Sequence, residues 1–300
     1  MNIIGKKYFY FLISLIIIIP GIISLSLYKL DLSIEFTGGS RITYSLPKEA
    51  TSENIQTIRN IFTQNKIKVS TIEKSKNLVF VRTQPLDQKE DVLVNSEIKT
   101  KLGDFKQIQY ETVGPIIGSE ITLNALKALI ISSILIVLYI TWSFRRVPKP
   151  ASSFRFGIAA IVALIHDVLV LLGLFSILGH FFNVEVDSLF VTAILTVIGF
   201  SVHDTIVVFD RIRENLRRFG GENFSEVVND SILQTLDRSL NTSLTVVLVL
   251  VSLLLFGGET IRWFVVALLI GVISGTYSSI FNASPLLVLW QEIIDKRFKK

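Results

Sequence analysis

The chain of 300 residues has no cysteine, so disulfides and thiol chemistry are excluded. It also lacks a phosphate loop. "FTGGS" is too short and has neither the lysine nor the flanking pattern that cradles phosphates. Histidine is scarce, at three residues, and no metal or cofactor is expected. The most informative shortage is charge. Only 18% of residues are Asp, Glu, Lys or Arg, while 50% are hydrophobic. Several apolar runs approach or exceed the about 20 residues that span a bilayer. These patterns exclude an enzyme built on a large soluble core. They indicate a polytopic α-helical membrane protein. The formal charge is +5, but the basic residues gather at the ends of apolar runs. Membrane topology explains them, and no nucleic acid partner is required.

The first run, Tyr8 to Tyr28, follows Lys6 and Lys7. It is too long for the apolar core of a signal peptide, and no small-x-small cleavage site follows. It reads as an uncleaved span, with a kink expected at Pro20-Gly21. Five further spans are read at Thr122–Phe144, Phe156–Gly179, Asp187–Phe209, Leu240–Gly257 and Arg262–Trp290. Arg145, Arg146 and Lys149 lie between the second and third. Arg211, Arg213, Arg217 and Arg218 lie between the fourth and fifth, and the chain closes on "DKRFKK". The opposite loops hold few basic residues. The positive-inside rule therefore places both termini in the cytoplasm. The domains read as a first transmembrane helix (1–30), an extracytoplasmic α+β domain (31–121) and a five-helix transmembrane domain (122–300).

The polar insert has its own pattern. "SRITYSL" alternates as a strand. "SENIQTIRNIFTQN" carries Ile55, Ile58 and Phe62 at helical spacing, with Ser52 as the cap. "IKVSTIE" and "NLVFVRT" read as strands joined by a Lys/Asn turn. A helix closing at Gly103 and the strand "FKQIQYETV" follow. The order βαββαβ predicts a small ferredoxin-like domain. The insert reads as an interaction domain and shows no catalytic constellation.

An ionisable side chain inside a span is costly, which makes each one a candidate for function. His166 and Asp167 sit about ten residues into the third span, roughly 15 Å deep. His203 and Asp204 sit in the fourth, with Asp204 roughly 10 Å from the inner interface. A buried carboxylate must pair or protonate, and a carboxylate that changes protonation is what a proton pathway needs. Arg238, at the start of the fifth span, is the expected counter-charge of Asp204. On the helical wheel Asp204, Val208 and Arg211 share one face, and His203 and Asp210 another. Asp210 and Arg211 then anchor the cytoplasmic helix. Gly271, Gly275 and Ser279 form a small-residue stripe for close helix contact.

"SVHDTIVVFDRIREN" resembles a signature of the SecD/SecF family of protein-export membrane subunits, on its SecF side. The likeness continues in "IEFTGG" with Gly38 and Gly39, in "VGPIIGSEI" with Gly114 and Pro115, in the His166-Asp167 pair and in "LDRSLNTSLT". These motifs cover most landmarks of the chain, in order. The resemblance implies six spans with one outer domain after the first, and a membrane part related to resistance-nodulation-division transporters. It implies an accessory, non-enzymatic subunit of the Sec translocase. Such a subunit acts with SecD on the SecYEG channel and with YajC. It uses the proton-motive force to draw translocating preproteins across the plasma membrane, or a thylakoid membrane. By the resemblance Asp204 is the proton-responsive carboxylate and Arg238 the functional arginine. Asp167 and His203 are candidates for a second proton site from their place within the spans, not from the resemblance. Many relatives carry asparagine where this chain has His203.

Two other readings compete. A half-size efflux transporter of the same superfamily would normally need both six-span halves and a larger outer domain. An intramembrane protease could use Ser201 with a membrane histidine, or Asp167 with Asp204. The glycine expected after the serine and the Gly-x-Gly-Asp pattern are both missing. On energetic grounds, one charge crossing 100 mV gains about 2.3 kcal/mol. Swinging a two-state equilibrium from 1:99 to 99:1 takes about 5.5 kcal/mol. A pH gradient or a second proton site, at His203 or Asp167, is therefore expected.

Overall fold

A computed structural model describes residues 1–145, 147–148, 150–219 and 223–298. Arg146, Lys149 and the two C-terminal lysines, all counted in the basic clusters, lie outside the described residues, as do residues 220–222. The chain forms two compact units, residues 1–31 with 127–300, and residues 32–126. In chain order the elements are α1 (Lys7–Tyr28), α2 (Ile34–Thr37), β1 (Gly39–Ser45), α3 (Ser52–Gln64), β2 (Val69–Ser75), β3 (Leu78–Thr83), α4 (Gln88–Leu102) and β4 (Lys106–Val113). Then come α5 (Pro115–Ser143), α6 (Ser153–Phe182), α7 (Ser188–Arg218), α8 (Phe224–Phe256), α9 (Arg262–Ser278) and α10 (Ser284–Phe298).

In the smaller unit four antiparallel strands form one sheet in the order β2-β3-β1-β4. Strand alternation puts Ile42, Tyr44, Val79 and Val81 on one face, where they pack with Ile58, Phe62, Val94 and Ile98 of the two long helices. Each helix starts at a reciprocal cap. Thr51, not the expected Ser52, is the N-cap of α3; its hydroxyl accepts from Asn54 N, and Asn54 Oδ1 accepts from Thr51 N at 2.9 Å. The cap needs extended backbone, which Thr51 adopts while Ser52 is already helical. Asp87 and Glu90 make the same box on α4. Gly103 ends α4 with φ of +79°, the conformation glycine takes most readily.

Two sequence motifs more than 70 residues apart meet in this unit. Gly38 closes α2 with φ of +71°, and a β-carbon there would lie 3.0 Å from Pro115 Cα. A β-carbon on Gly118 would lie 2.9 Å from Gly38 N. "IEFTGG" and "VGPIIGSEI" are thus the two halves of one clasp. Proline is well placed at the first position of α5, where its missing N–H costs no helical bond.

The larger unit is helical. Among the described residues, six helical stretches are long and apolar enough to cross a membrane. They exceed the spans read from hydropathy. α7 runs on to Arg218, and α8 begins at Phe224. Beyond the apolar runs the two helices are joined by polar contacts, including Asn215 Nδ2 to Ser231 Oγ at 2.9 Å and to Gln234 Oε1 at 3.0 Å. Pro20 lies inside α1 rather than ending it, and Gly21 lets α1 meet α6 at Gly173. The Gly271/Gly275 stripe of α9 packs on Val197 and Ser201 of α7. Between α9 and α10 the helix loosens into a π turn, Ser279–Ala283. Pro285 explains it. Its ring clashes with the carbonyl four residues back and its nitrogen cannot donate, so the helix takes a wider turn.

Candidate functional site

The polar centre of the larger unit is built around Asp167, which is 1% exposed. Helix periodicity turns His166 and Asp167 of α6 toward α1, α7 and α9. Asp167 Oδ2 accepts from Ser201 Oγ of α7 at 2.6 Å and from Ser278 Oγ of α9 at 2.7 Å. Its Oδ1 accepts from Ser274 Oγ at 2.7 Å and lies 2.9 Å from His166 Nδ1. Four partners fill the carboxylate. The far ring nitrogen, His166 Nε2, lies 3.0 Å from Ser14 Oγ of α1. Ser14 in turn faces both amide atoms of Asn282, in the π turn.

Asp204 is placed differently. It lies one turn beyond Ser201 on α7 and is 3% exposed. Its Oδ2 is buried without a hydrogen-bond partner. The hydroxyls of Ser243 on α8 and Thr276 on α9, 2.5 Å apart, lie beside the carboxyl group. Thr205 and Ser279, 2.8 Å apart, extend the hydroxyl seam between α7 and the π turn.

The expected Asp204–Arg238 ion pair does not form. Arg238 stands on the exposed face of α8, while the adjacent Ser239 is buried. The helix register that turns Ser239 and Ser243 inward turns Arg238 outward. His203, the neighbour of Asp204 in sequence, is likewise exposed while Asp204 is buried. Intramembrane polar residues therefore line exposed faces of both helices: Thr192, Thr196 and His203 on α7, and Arg238, Asn241 and Thr245 on α8.

Asp210 pairs with Arg213 one turn along α7. Arg211 bonds Glu214 at 2.6 Å and Gln234 at 2.5 Å, so it ties α7 to α8. Gly38, Gly39, Gly114 and Pro115 belong to the smaller unit and take no part in the polar centre. Sequence reasoning missed Ser14, Ser274, Ser278 and Asn282. Each is a small polar residue within an apolar run, and that is the signal that could have marked them. Among the described residues no cluster of His, Cys, Asp and Glu could hold a metal ion.

The family described as protein export membrane protein SecD/SecF, C-terminal, matches residues 93–293. The chain is 46% identical to the protein translocase subunit SecF of Thermobaculum terrenum, over 97% of this chain and 94% of that protein. It is 35% identical to the protein translocase subunit SecDF of Bacillus subtilis, over 96% of this chain and 38% of that protein. The crystal structure of SecDF, a translocon-associated membrane protein from Thermus thermophilus, superposes with a TM-score of 0.81 at 31% identity, over 97% of this chain and 39% of that chain. The chain thus spans well under half of each SecDF protein.

Proposed function

Because the chain belongs to the SecD/SecF family of protein-export membrane proteins, we propose that its membrane unit couples the proton-motive force to late steps of export. The chain is a multi-pass membrane protein and an accessory subunit of the Sec translocase, not an enzyme. Asp204 is the proton-responsive group. One observation carries this assignment: Asp204 is buried with a free carboxylate oxygen, whereas Asp167 is filled by four partners. A proton added to Asp204 displaces no existing bond at Oδ2, whereas one added to Asp167 must displace a donor.

SecD supplies the second half of the core. The exposed polar faces of α7 and α8 support this, because polar residues facing lipid alone are costly. Arg238 and His203 then act at that interface, Arg238 by bringing positive charge toward the Asp204 layer as the halves move. The SecYEG channel, YajC and translocating preproteins are the further partners. Both termini lie in the cytoplasm and the membrane is the bacterial plasma membrane, with a thylakoid as the alternative. The smaller unit (32–126) is a ferredoxin-like domain on the outer side, a reading supported by its strand order. Ser201 donates to Asp167 rather than to an imidazole, which argues against a serine-protease reading.

The test is export by a translocase reconstituted with SecD, with and without a proton gradient. Asp204→Asn is expected to keep assembly with SecD and lose the stimulation by the gradient. Unchanged gradient dependence in that variant would make Asp204 a packing residue.

A further inference from the structure

We infer that His166 is a second proton-carrying residue, and that its charge is read by α1 and by the π turn through Ser14 and Asn282. This rests on the proton-coupled reading above and adds a site to it. A single charge crossing the membrane does too little work to swing a two-state element fully. Of the sites available for a second proton, Asp167 is filled by four partners, and His203 lies on an exposed helix face. His166 remains. It is 8% exposed, and the partner of its Nε2 is the Ser14 hydroxyl, which can turn from donor to acceptor without leaving the ring.

Nδ1 lies 2.9 Å from Asp167 Oδ1. Asp167 holds the proton on Nδ1 in both charge states, because a carboxylate accepts and does not donate. Nε2 is the exchangeable atom. In the neutral ring it accepts from the Ser14 hydroxyl at 3.0 Å, and Ser14 Oγ accepts from Asn282 Nδ2 at 2.8 Å. When a proton binds the Nε2 lone pair, Nε2–H donates to Ser14 Oγ. The Ser14 hydroxyl then turns to Asn282 Oδ1, 3.1 Å away. One N–H bond forms, no other covalent bond changes, and the added positive charge rests beside the Asp167 carboxylate. The proton comes from water on one face and returns to water.

Asn282 presents both an acceptor and a donor to the same hydroxyl, so it can serve either state. It sits in the π turn Ser279–Ala283, where the helix is already loosened, so a change in its bonding acts at a pivot of the last span. Ser14 carries the same change to α1. The titratable and polar groups facing His166 are Asp167 from α6, Ser14 from α1, Tyr277 from α9, with its ring stacked 6.4 Å away, and Asn282 through Ser14. Tyr277 donates its hydroxyl to the Tyr10 carbonyl at 2.7 Å, which holds α9 to α1 beside the ring.

The chain has three histidines, so His180→Gln with His203→Gln leaves His166 as the one imidazole. The full chain with that background, reconstituted with SecD and labelled with ¹⁵N-histidine, is followed by NMR from about pH 5 to 8.5, the range a histidine senses. The expected result is reversible passage from the Nδ1–H tautomer to imidazolium. Ser14→Ala and Asn282→Ala should each move its midpoint by at least about half a pH unit. A ring that keeps one state throughout overturns the proposal, as does a midpoint indifferent to both variants. In the export assay His166→Gln should weaken gradient stimulation. If His166 titrates and relays as described while Asp204→Asn retains normal gradient dependence, the assignment of Asp204 fails and the His166 relay stands. If Asp204→Asn abolishes stimulation and His166 does not titrate, the relay fails and Asp204 stands.

Discussion

Gly21 of α1 and Gly173 of α6 meet with no room for a side chain between them. A β-carbon on Gly173 would lie 2.6 Å from Gly21 Cα, and one on Gly21 would lie 2.9 Å from Gly173 Cα. Both obstacles are backbone, which cannot rotate away. Gly173→Val should therefore push α1 from α6 and destabilise the membrane unit by about 1–3 kcal/mol, the usual cost of overpacking. The same two helices bring Ser14 to His166, about two helical turns away from the glycine contact. Thermal unfolding in detergent measures the first effect. The ¹⁵N shift of His166 reports the second.

Asp167 should behave as a structural anion. Asp167→Ala removes the acceptor for three serine hydroxyls and the partner of His166, all buried. Leaving a buried donor unpaired costs about 1–3 kcal/mol. The variant is expected to lose yield and melting temperature, and the protein that still folds should lose no more gradient stimulation than His166→Gln does, because His166 has lost its Nδ1 partner. Asp204→Asn should show the opposite pattern, with stability kept and coupling lost. Paired measurement of melting temperature and export in the two variants separates the roles.

The smaller unit should fold alone, because residues 32–126 are contiguous and contain their own core. Its stability carries a pH signature from Asp91 on α4. Burial raises the pKa of Asp91 above the usual carboxylate range, partly opposed by hydrogen bonds from Gln107 and Asn95. A carboxyl raised in the folded state favours folding when protonated. Its contribution is full below its unfolded value of about 3.9 and is lost as pH rises through the folded value. The melting temperature of the parent domain, relative to Asp91→Asn, should therefore rise as pH falls through that window. Circular dichroism melts at several pH values test it; a difference independent of pH would place Asp91 outside the titrating set.

Topology can be read in this cysteine-free chain with single thiols. Ser70→Cys is exposed on β2 of the smaller unit, and Lys296→Cys is exposed near the end of α10. An impermeant thiol reagent added to intact cells is expected to label position 70 and to spare position 296 until the membrane is opened. The reverse labelling would invert the assigned orientation.

Much of this protein was written in local pattern. The apolar runs gave six spans because a lipid-crossing helix needs length and low charge, both countable along the chain. The βαββαβ order was legible because strand and helix periods differ, and Gly103 marked a helix end because few residues take positive φ. His166, Asp167 and Asp204 stood out because charge in an apolar run is rare. Tertiary structure alone decided the rest. Asp167 is saturated and Asp204 is not, although the two look alike in sequence, since the difference lies in serines delivered from α7 and α9. Arg238 and Asp204 sit toward the same end of neighbouring antiparallel spans, which makes them partners by sequence, but helix register turns Arg238 outward. The joining of "IEFTGG" to Pro115 and Gly118, and of Ser14 to Asn282, spans dozens to hundreds of residues. Hydropathy and periodicity record which face of a helix is buried; they do not record which neighbour it meets. Only packing, where side chains from separate helices compete for the same few ångströms, fixes those pairs.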